Sequence, residues 1–347
     1  MNVPLCLTAL LLVVAGLQGA ARAQPAATEP APRLGDVLGA ITQGNGAHAR
    51  DLLGSMPASD SVRDTQLRSC IQGRLEGPLR HEPDIADAFT REVLKAYEAY
   101  WRCGAAGPWA RAPAEAKLLE RLRQLLRDRR LADIASAEPP IAARLGRAGY
   151  RSLQGMTGVL HELMIWSRQT EKQEHVELPE GPQLTRVFLL DGFVSRGWSS
   201  FLTCGRSGTG GWTKPEGLYA VVPAYRSLDD ENFRVNFLAH ESQHFADQRR
   251  FPGLMDWEKE YRAKLVELAL ADTTRPRILE RLKASQGEDP EDAHSYANRQ
   301  VLESLRTRLG LASDADLSTV NPADLRLAAV SELRADSARR KHRKPGR

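Results

Sequence analysis

Residues 238–247 read Leu-Ala-His-Glu-Ser-Gln-His-Phe-Ala-Asp, so two histidines stand four positions apart with a glutamate directly after the first. Residues four apart on an α-helix lie on one face. His240 and His244 are therefore placed to aim a ring nitrogen each at one Zn²⁺. Glu241, one step round the turn, is placed to take a proton from a metal-bound water rather than to ligate the metal. The pattern demands a helix with one side on a core and the other in a cleft. The flanking sequence supplies one. Asp229, Asp230 and Glu231 put negative charge where a helix starts, and Phe233, Phe237, Leu238 and Phe245 recur at helical spacing. Asp247 shares the face of both histidines and is the expected acceptor for the remaining ring N–H of a ligand.

A catalytic zinc takes three protein ligands and keeps one open position. Phe251-Pro252-Gly253 predicts the end of the motif helix. A second helix is predicted from Asp256, as N-cap, through Leu268. It carries three candidate third ligands. Glu260 borders the inward face marked by Trp257, Tyr261, Leu268 and Ala271, and small Ala263 leaves room beside it. Glu267, two turns on, is the second choice. Glu258 precedes Arg262 by four residues and reads as an exposed ion pair.

His240-Glu241-x-x-His244, a short turn and a helix bearing Glu260-x-x-Ala263 resemble the gluzincin type of zinc metallopeptidase, of a secreted, bacterial-like kind, over residues 218–270. The resemblance implies zinc held by His240, His244 and Glu260, with Glu241 as general base. Lys259 stands where better-known members often carry the Asn of an Asn-Glu pair. The resemblance also implies a sheet edge just before the motif helix that binds substrate backbone by strand addition. Gly210, Gly211 and Trp212 are candidates to line it, an ordinary hairpin being the alternative. It further implies an oxyanion donor from outside the two helices. His294 and Tyr296, with Arg299 behind them, are the candidates, against a plain helix cap with a surface histidine.

Residues 5–17 form an apolar run followed by Ala21-Arg22-Ala23, a small-x-small cleavage pattern. The expectation is a signal peptide over 1–23, an Ala/Pro linker over 24–33 and a secreted or periplasmic chain, an uncleaved N-terminal anchor being the alternative. Cleavage leaves Cys70, Cys103 and Cys204 in an oxidising compartment. Of three single pairings, Cys70 with Cys103 is favoured because both lie in the helical half. The net charge of +4 over 347 residues is too small to indicate nucleic acid. The basic end, residues 336–347, reads as a disordered, solvated tail with at most weak contact to an anionic envelope surface.

From 34 to about 166 the apolar pattern is helical, and a helical N-terminal region is assigned to 34–170. Ile85, Phe89, Val93, Ala96, Tyr97 and Tyr100 repeat at three and four. So do Leu118, Leu119, Leu122, Leu125 and Leu126, in a segment whose arginines (121, 123, 127, 129, 130) read as a solvated face. His161-Glu162 begins like the metal motif, but Ile165 replaces the second histidine. It reads as a partnered or surface histidine near a helix end. Residues 184–190, 198–203 and 218–222 read as strands, within a zincin-like region assigned to 171–335. The Gly-rich 205–211 is a turn and lacks the spacing of a phosphate loop.

The expected architecture is α+β: mostly helical, with an N-terminal helical region, a small antiparallel sheet and a zincin-like helix pair. The expected function is a zinc-dependent hydrolase cleaving peptide bonds in a peptide or protein substrate, with no nucleic-acid partner and no membrane span in the mature chain. The alternative is a secreted binding or scaffold protein with a structural or vestigial zinc site. A cell-wall amidase is a third reading.

Overall fold

The computed structural model describes residues 31–77 and 85–342. The leader and most of the linker lie outside the described residues.

The first half is helical, as the periodicity predicts. It contains α1 (Leu34–Thr42), α2 (Gly46–Ser55), α3 (Val62–Leu75), α4 (Ala88–Gly104), α5 (Pro108–Leu126) and α6 (Ile134–Arg147). Asp87 caps α4 through the Thr90 N–H, and Val93, Leu94, Tyr97, Tyr100 and Trp101 form its buried stripe. That stripe joins Leu118 and Leu122 of α5 in one apolar cluster. The arginines of α5 stay on its outer side. Arg121 pairs with Glu92 at 2.9 Å, and Arg123 donates to the Leu131 carbonyl.

Helix does not continue to Trp166. The chain turns at Gly149, whose φ of +85° suits glycine, and enters β1 (Arg151–Thr157), β2 (Leu160–Leu178) and β3 (Gly181–Arg196). The reason lies in the start of β2. Leu163, Met164, Ile165 and Trp166 are all buried because both faces of the sheet are covered there. An apolar run of that length carries no period to separate strand from helix. His161 and Glu162 consequently sit on β2, not near a helix end.

Residues 198–203, read as a strand, are instead most of a short helix, α7 (Gly197–Leu202), which leads into β4 (Gly211–Lys214) and β5 (Gly217–Val221). The sheet order is β1-β2-β3-β5-β4. It is mixed rather than antiparallel, because the crossover through α7 returns β5 parallel to β3. Among the described residues β4 then pairs with β5 alone and forms an edge. One face of the sheet gives Val187, Leu218 and Ala220 to the core shared with the C-terminal helices. The other carries Met164, Trp166, Phe188, Leu190 and Val221, with Trp212 and Tyr219 packed against them.

After the sheet come α8 (Glu231–Phe233), a π-helical turn over Arg234–Ala239, and α9 (His240–Arg250). Asp230 caps this run, and it stops at Phe251 as expected. Then follow α10 (Asp256–Leu270), α11 (Arg275–Ala284), α12 (Ala293–Leu309) and α13 (Pro322–His342). α10 is the axis of this half: nearly every residue from Glu258 to Ala269 is buried. At its centre Arg262, fully buried, contacts Asp247 of α9 at 2.9 Å, Glu180 of the β2–β3 turn at 2.7 Å and Asp336 of α13 at 2.7 Å. One guanidinium thus ties four segments together.

Two expectations fail at this network. Glu258 is not an exposed partner of Arg262. It accepts from the Met255 N–H and pairs with Arg340 at 2.8 Å, because Arg262 is already claimed by Asp247, Glu180 and Asp336. The basic end is not a free tail from residue 336. α13 runs to His342, and Arg339 and Arg340 are spent on Glu332, Asp336 and Glu258. Residues 343–347 lie outside the described set. Among the described residues no helix is long and apolar enough to cross a membrane.

The disulfide joins Cys70 to Cys204, leaving Cys103 free. The favoured Cys70–Cys103 pairing is therefore wrong. α3 packs beside α7, so its cysteine meets the one that follows α7. Helical texture shared by Cys70 and Cys103 says nothing about which neighbours the bundle chooses.

Candidate metal centre

The π-helical turn before His240 buries Val235, Phe237, Leu238 and Ala239 against the core. Such turns rotate the residues that follow relative to a regular helix and recur at functional sites. Here the histidine face of α9 is brought to α10. His240, Glu241 and His244 place one potential ligand atom each within 4.8 Å of one another. The two imidazoles stand edge to face, with centroids 4.9 Å apart.

Glu260 meets them from α10. Its Oε2 lies 3.6 Å from His240 Nε2, and its Oε1 lies 3.3 Å from His244 Nε2. Lys264, one turn further, approaches Oε2 at 3.2 Å. His294, at the start of α12, brings Nδ1 to 2.9 Å from the same oxygen. Despite these neighbours Oε2 has no hydrogen bond of acceptable geometry among the described residues, and neither has His244 Nδ1.

The other side of His240 is occupied. Its Nδ1 is 2.6 Å from Oε1 of Glu267, which is 2 % exposed. Arg281 holds the second Glu267 oxygen at 2.6 Å. Burial works against an ionised Glu267, but the His240 hydrogen bond and the charges of His240, Arg281 and Lys264 keep its pKa below the ordinary glutamate value. The partner of the His240 ring is thus Glu267. Asp247, expected in that role, turns to Arg262 and to the Gln243 amide at 2.8 Å. A guanidinium buried beside Asp247 outbids a neutral imidazole for the carboxylate.

Glu241 is fixed from the sheet. The Thr213 hydroxyl of β4 donates to its Oε2 at 2.6 Å. The edge strand therefore passes directly beside the candidate base. Sequence offered no signal for Thr213, since only the tertiary fold brings residue 213 to residue 241. For Glu267 a signal existed: it lies seven residues after Glu260 and on the same face.

The remaining candidates divide. His294 is in the cluster, with a side chain 72 % exposed that is open to a ligand. Tyr296 turns to Trp257, ring centroids 5.0 Å apart, and Arg299 is taken by Glu288 and Glu303. On β2, Glu162 accepts from the Thr157 hydroxyl and from the backbone N–H groups of Leu163 and Trp198. His161 packs on Tyr100.

The donor set fits a zinc ion on two counts. First, ligands at about 2.0–2.1 Å in a tetrahedron lie roughly 3.3 Å from one another, and the ring-to-carboxylate separations are 3.3 and 3.6 Å. Second, the buried Glu260 Oε2 has no hydrogen-bond partner among the described residues, and two imidazoles with a carboxylate are donors that zinc accepts. No protein-family model matches the chain, and neither does any curated protein or solved structure.

Proposed function

We propose that the chain is a zinc-dependent hydrolase of the gluzincin kind, cleaving peptide bonds. The observation that carries this reading is the pairing of His240 through Nδ1 with a buried carboxylate while its Nε2, with that of His244, converges on Glu260. That is the arrangement of a metal-ligating histidine with its orienting carboxylate.

His240, His244 and Glu260 hold the ion. Bound zinc supplies a Lewis acid that lowers the pKa of its water toward ~7 and polarises the scissile carbonyl. Glu241 takes the water proton and returns it to the leaving amine. Thr213 keeps the carboxylate aimed while this happens. His294, exposed and beside Glu260, is the donor for the oxyanion. Tyr296 has no part in this reading. The substrate backbone pairs with the free edge of β4. The apolar leader expected over 1–23 places the mature chain outside the cytoplasm, in a secreted or periplasmic compartment.

Metal analysis tests the centre. Wild-type protein is expected to carry about one zinc per chain, Glu260→Ala to lose it, and Glu267→Ala to bind it more weakly. A wild-type chain purified with zinc present that holds no stoichiometric metal overturns the proposal.

One observation favours a second reading. Lys264 sits 3.2 Å from Glu260, and the flanking carboxylates outweigh the effect of burial and push the metal-free His240 imidazole up to about 10. A purely ionic or structural centre satisfies those facts without turnover. Zinc content with no hydrolysis across a broad peptide library, and a large fall in melting temperature on chelation, would select it.

A further inference from the structure

Behind β4, on the sheet face opposite the histidines, lies a cavity of 310 Å³. Its walls are largely apolar: Leu153 of β1, Met164 of β2, Trp198 of α7 and Trp212 of β4, with Gly158 at the β1–β2 turn and Thr42 at the end of α1. That volume is at the low end of ligand sites, roughly 300–1,000 Å³, and suits one large side chain better than a whole cofactor.

We propose that this cavity is a specificity subsite that takes a bulky apolar side chain of an extended peptide lying along β4. The proposal deepens the peptidase reading and rests on it. Three observations point the same way. Among the described residues β4 has a partner on one side only. Its Thr213 touches Glu241, so a chain paired with β4 crosses the reaction centre. Its next residue toward the N-terminus, Trp212, faces the other side and lines the cavity.

Alternation along strands does the rest. Side chains of a paired strand point to the same face as the residues directly opposite. A substrate residue opposite Thr213 faces the histidines. Residues one or three positions away face the cavity, at a rise of about 3.3 Å per residue. The subsite therefore reads a residue an odd number of positions from the one opposite Thr213.

The chemistry of the walls decides for an apolar occupant. Glu162 is the acid of the lining, but three donors already satisfy its carboxylate. A cationic side chain would have to displace them. Arg196 lines this cavity and the larger one beside the disulfide. It is the group through which an acidic preference would arise instead.

The test separates binding from turnover. Fluorescein-labelled peptides differing at one position, Phe, Leu, Asp, Lys or Gly, are titrated by polarisation against the zinc-loaded full chain carrying Glu241→Gln, alone and combined with Thr42→Trp. In parallel, cleavage products of an unlabelled peptide library are sequenced with wild type. Phe is expected to bind about tenfold or more tightly than Gly, as filling an apolar pocket gives. Thr42→Trp, which blocks the cavity from α1, is expected to remove that advantage and leave the Gly peptide unchanged. If Thr42→Trp lowers the melting temperature, Ser207→Phe fills the cavity from another lining position. Equal affinity for Phe and Gly, an equal loss for both on filling, or a preference for Asp that Arg196→Ala abolishes each overturns the subsite. A Phe preference that filling removes, with no cleavage by wild type, upholds the subsite and refutes the peptidase.

Discussion

Glu267 holds the Nδ1 side of His240 at 2.6 Å from a position that is 2 % exposed. In the proposed centre this one contact turns the ring and raises the basicity of the nitrogen that faces Glu260. Glu267 is itself fixed by Arg281, whose side chain is half exposed, so the guanidinium stays hydrated if the carboxylate is removed. Glu267→Gln is accordingly expected to fold normally and to bind zinc about 10–100-fold more weakly. Competition with a chromophoric chelator measures this. Unchanged affinity would mean that the carboxylate does not orient the ligand.

Glu241 is held differently, by a hydroxyl on the edge strand. In the proposed reaction its role is proton transfer and not metal binding, so the two effects separate. Glu241→Gln is expected to retain stoichiometric zinc while kcat falls by about 10²–10⁴. Thr213→Val keeps the base and loses its donor, and the fall should be smaller, with KM for short peptides little changed. Full activity in Glu241→Gln would remove the glutamate from the reaction.

The contrast between Asp247 and Glu267 shows how far the sequence can be read. The spacing of His240, Glu241 and His244 is a local property, and α9 displays it as expected. The stop at Phe251 and the following helix are local too. Both acids lie on the correct helical faces, and nothing in their own neighbourhoods decides between them. The decision is made by Arg262, whose burial against Asp247, Glu180 and Asp336 is a tertiary fact. Residues 160–166 fail for the same reason in another form: a segment covered on both faces loses the period that distinguishes helix from strand. Thr213 was beyond reach altogether, because the contact with Glu241 depends on the order of strands in the sheet.

The disulfide makes a prediction that sequence had backwards. Cys70 and Cys204 are 134 residues apart, and their bond closes a loop running through the helical region and most of the sheet. Peptide mapping under non-reducing conditions should recover these two cysteines in one linked fragment and alkylated Cys103 in another. Cys70→Ser should cost about 2–5 kcal/mol of unfolding free energy, read by urea titration at neutral pH. A linked fragment containing Cys103 would refute the pairing.

Arg262 carries the most severe expected loss. Its guanidinium is the counter-charge for Asp247, a residue 0 % exposed. Burial already raises the Asp247 pKa above the ordinary value, and Arg262 is the chief force opposing that rise. Arg262→Met leaves the Asp247 carboxylate buried and unpaired, which costs about 3–5 kcal/mol. The pH dependence identifies the cause. Without Arg262 the folded pKa of Asp247 moves further above its unfolded value of about 3.9. A carboxyl raised in that sense costs stability above its folded pKa and recovers it as the group protonates. The deficit of Arg262→Met relative to wild type should therefore be largest near neutral pH and should narrow as the pH falls toward about 4. Adding Asp247→Asn should return part of the lost stability at neutral pH and flatten the profile. A deficit that is the same at every pH, or a double variant no better than the single one, would show that Arg262 acts by packing and not as the counter-ion of Asp247.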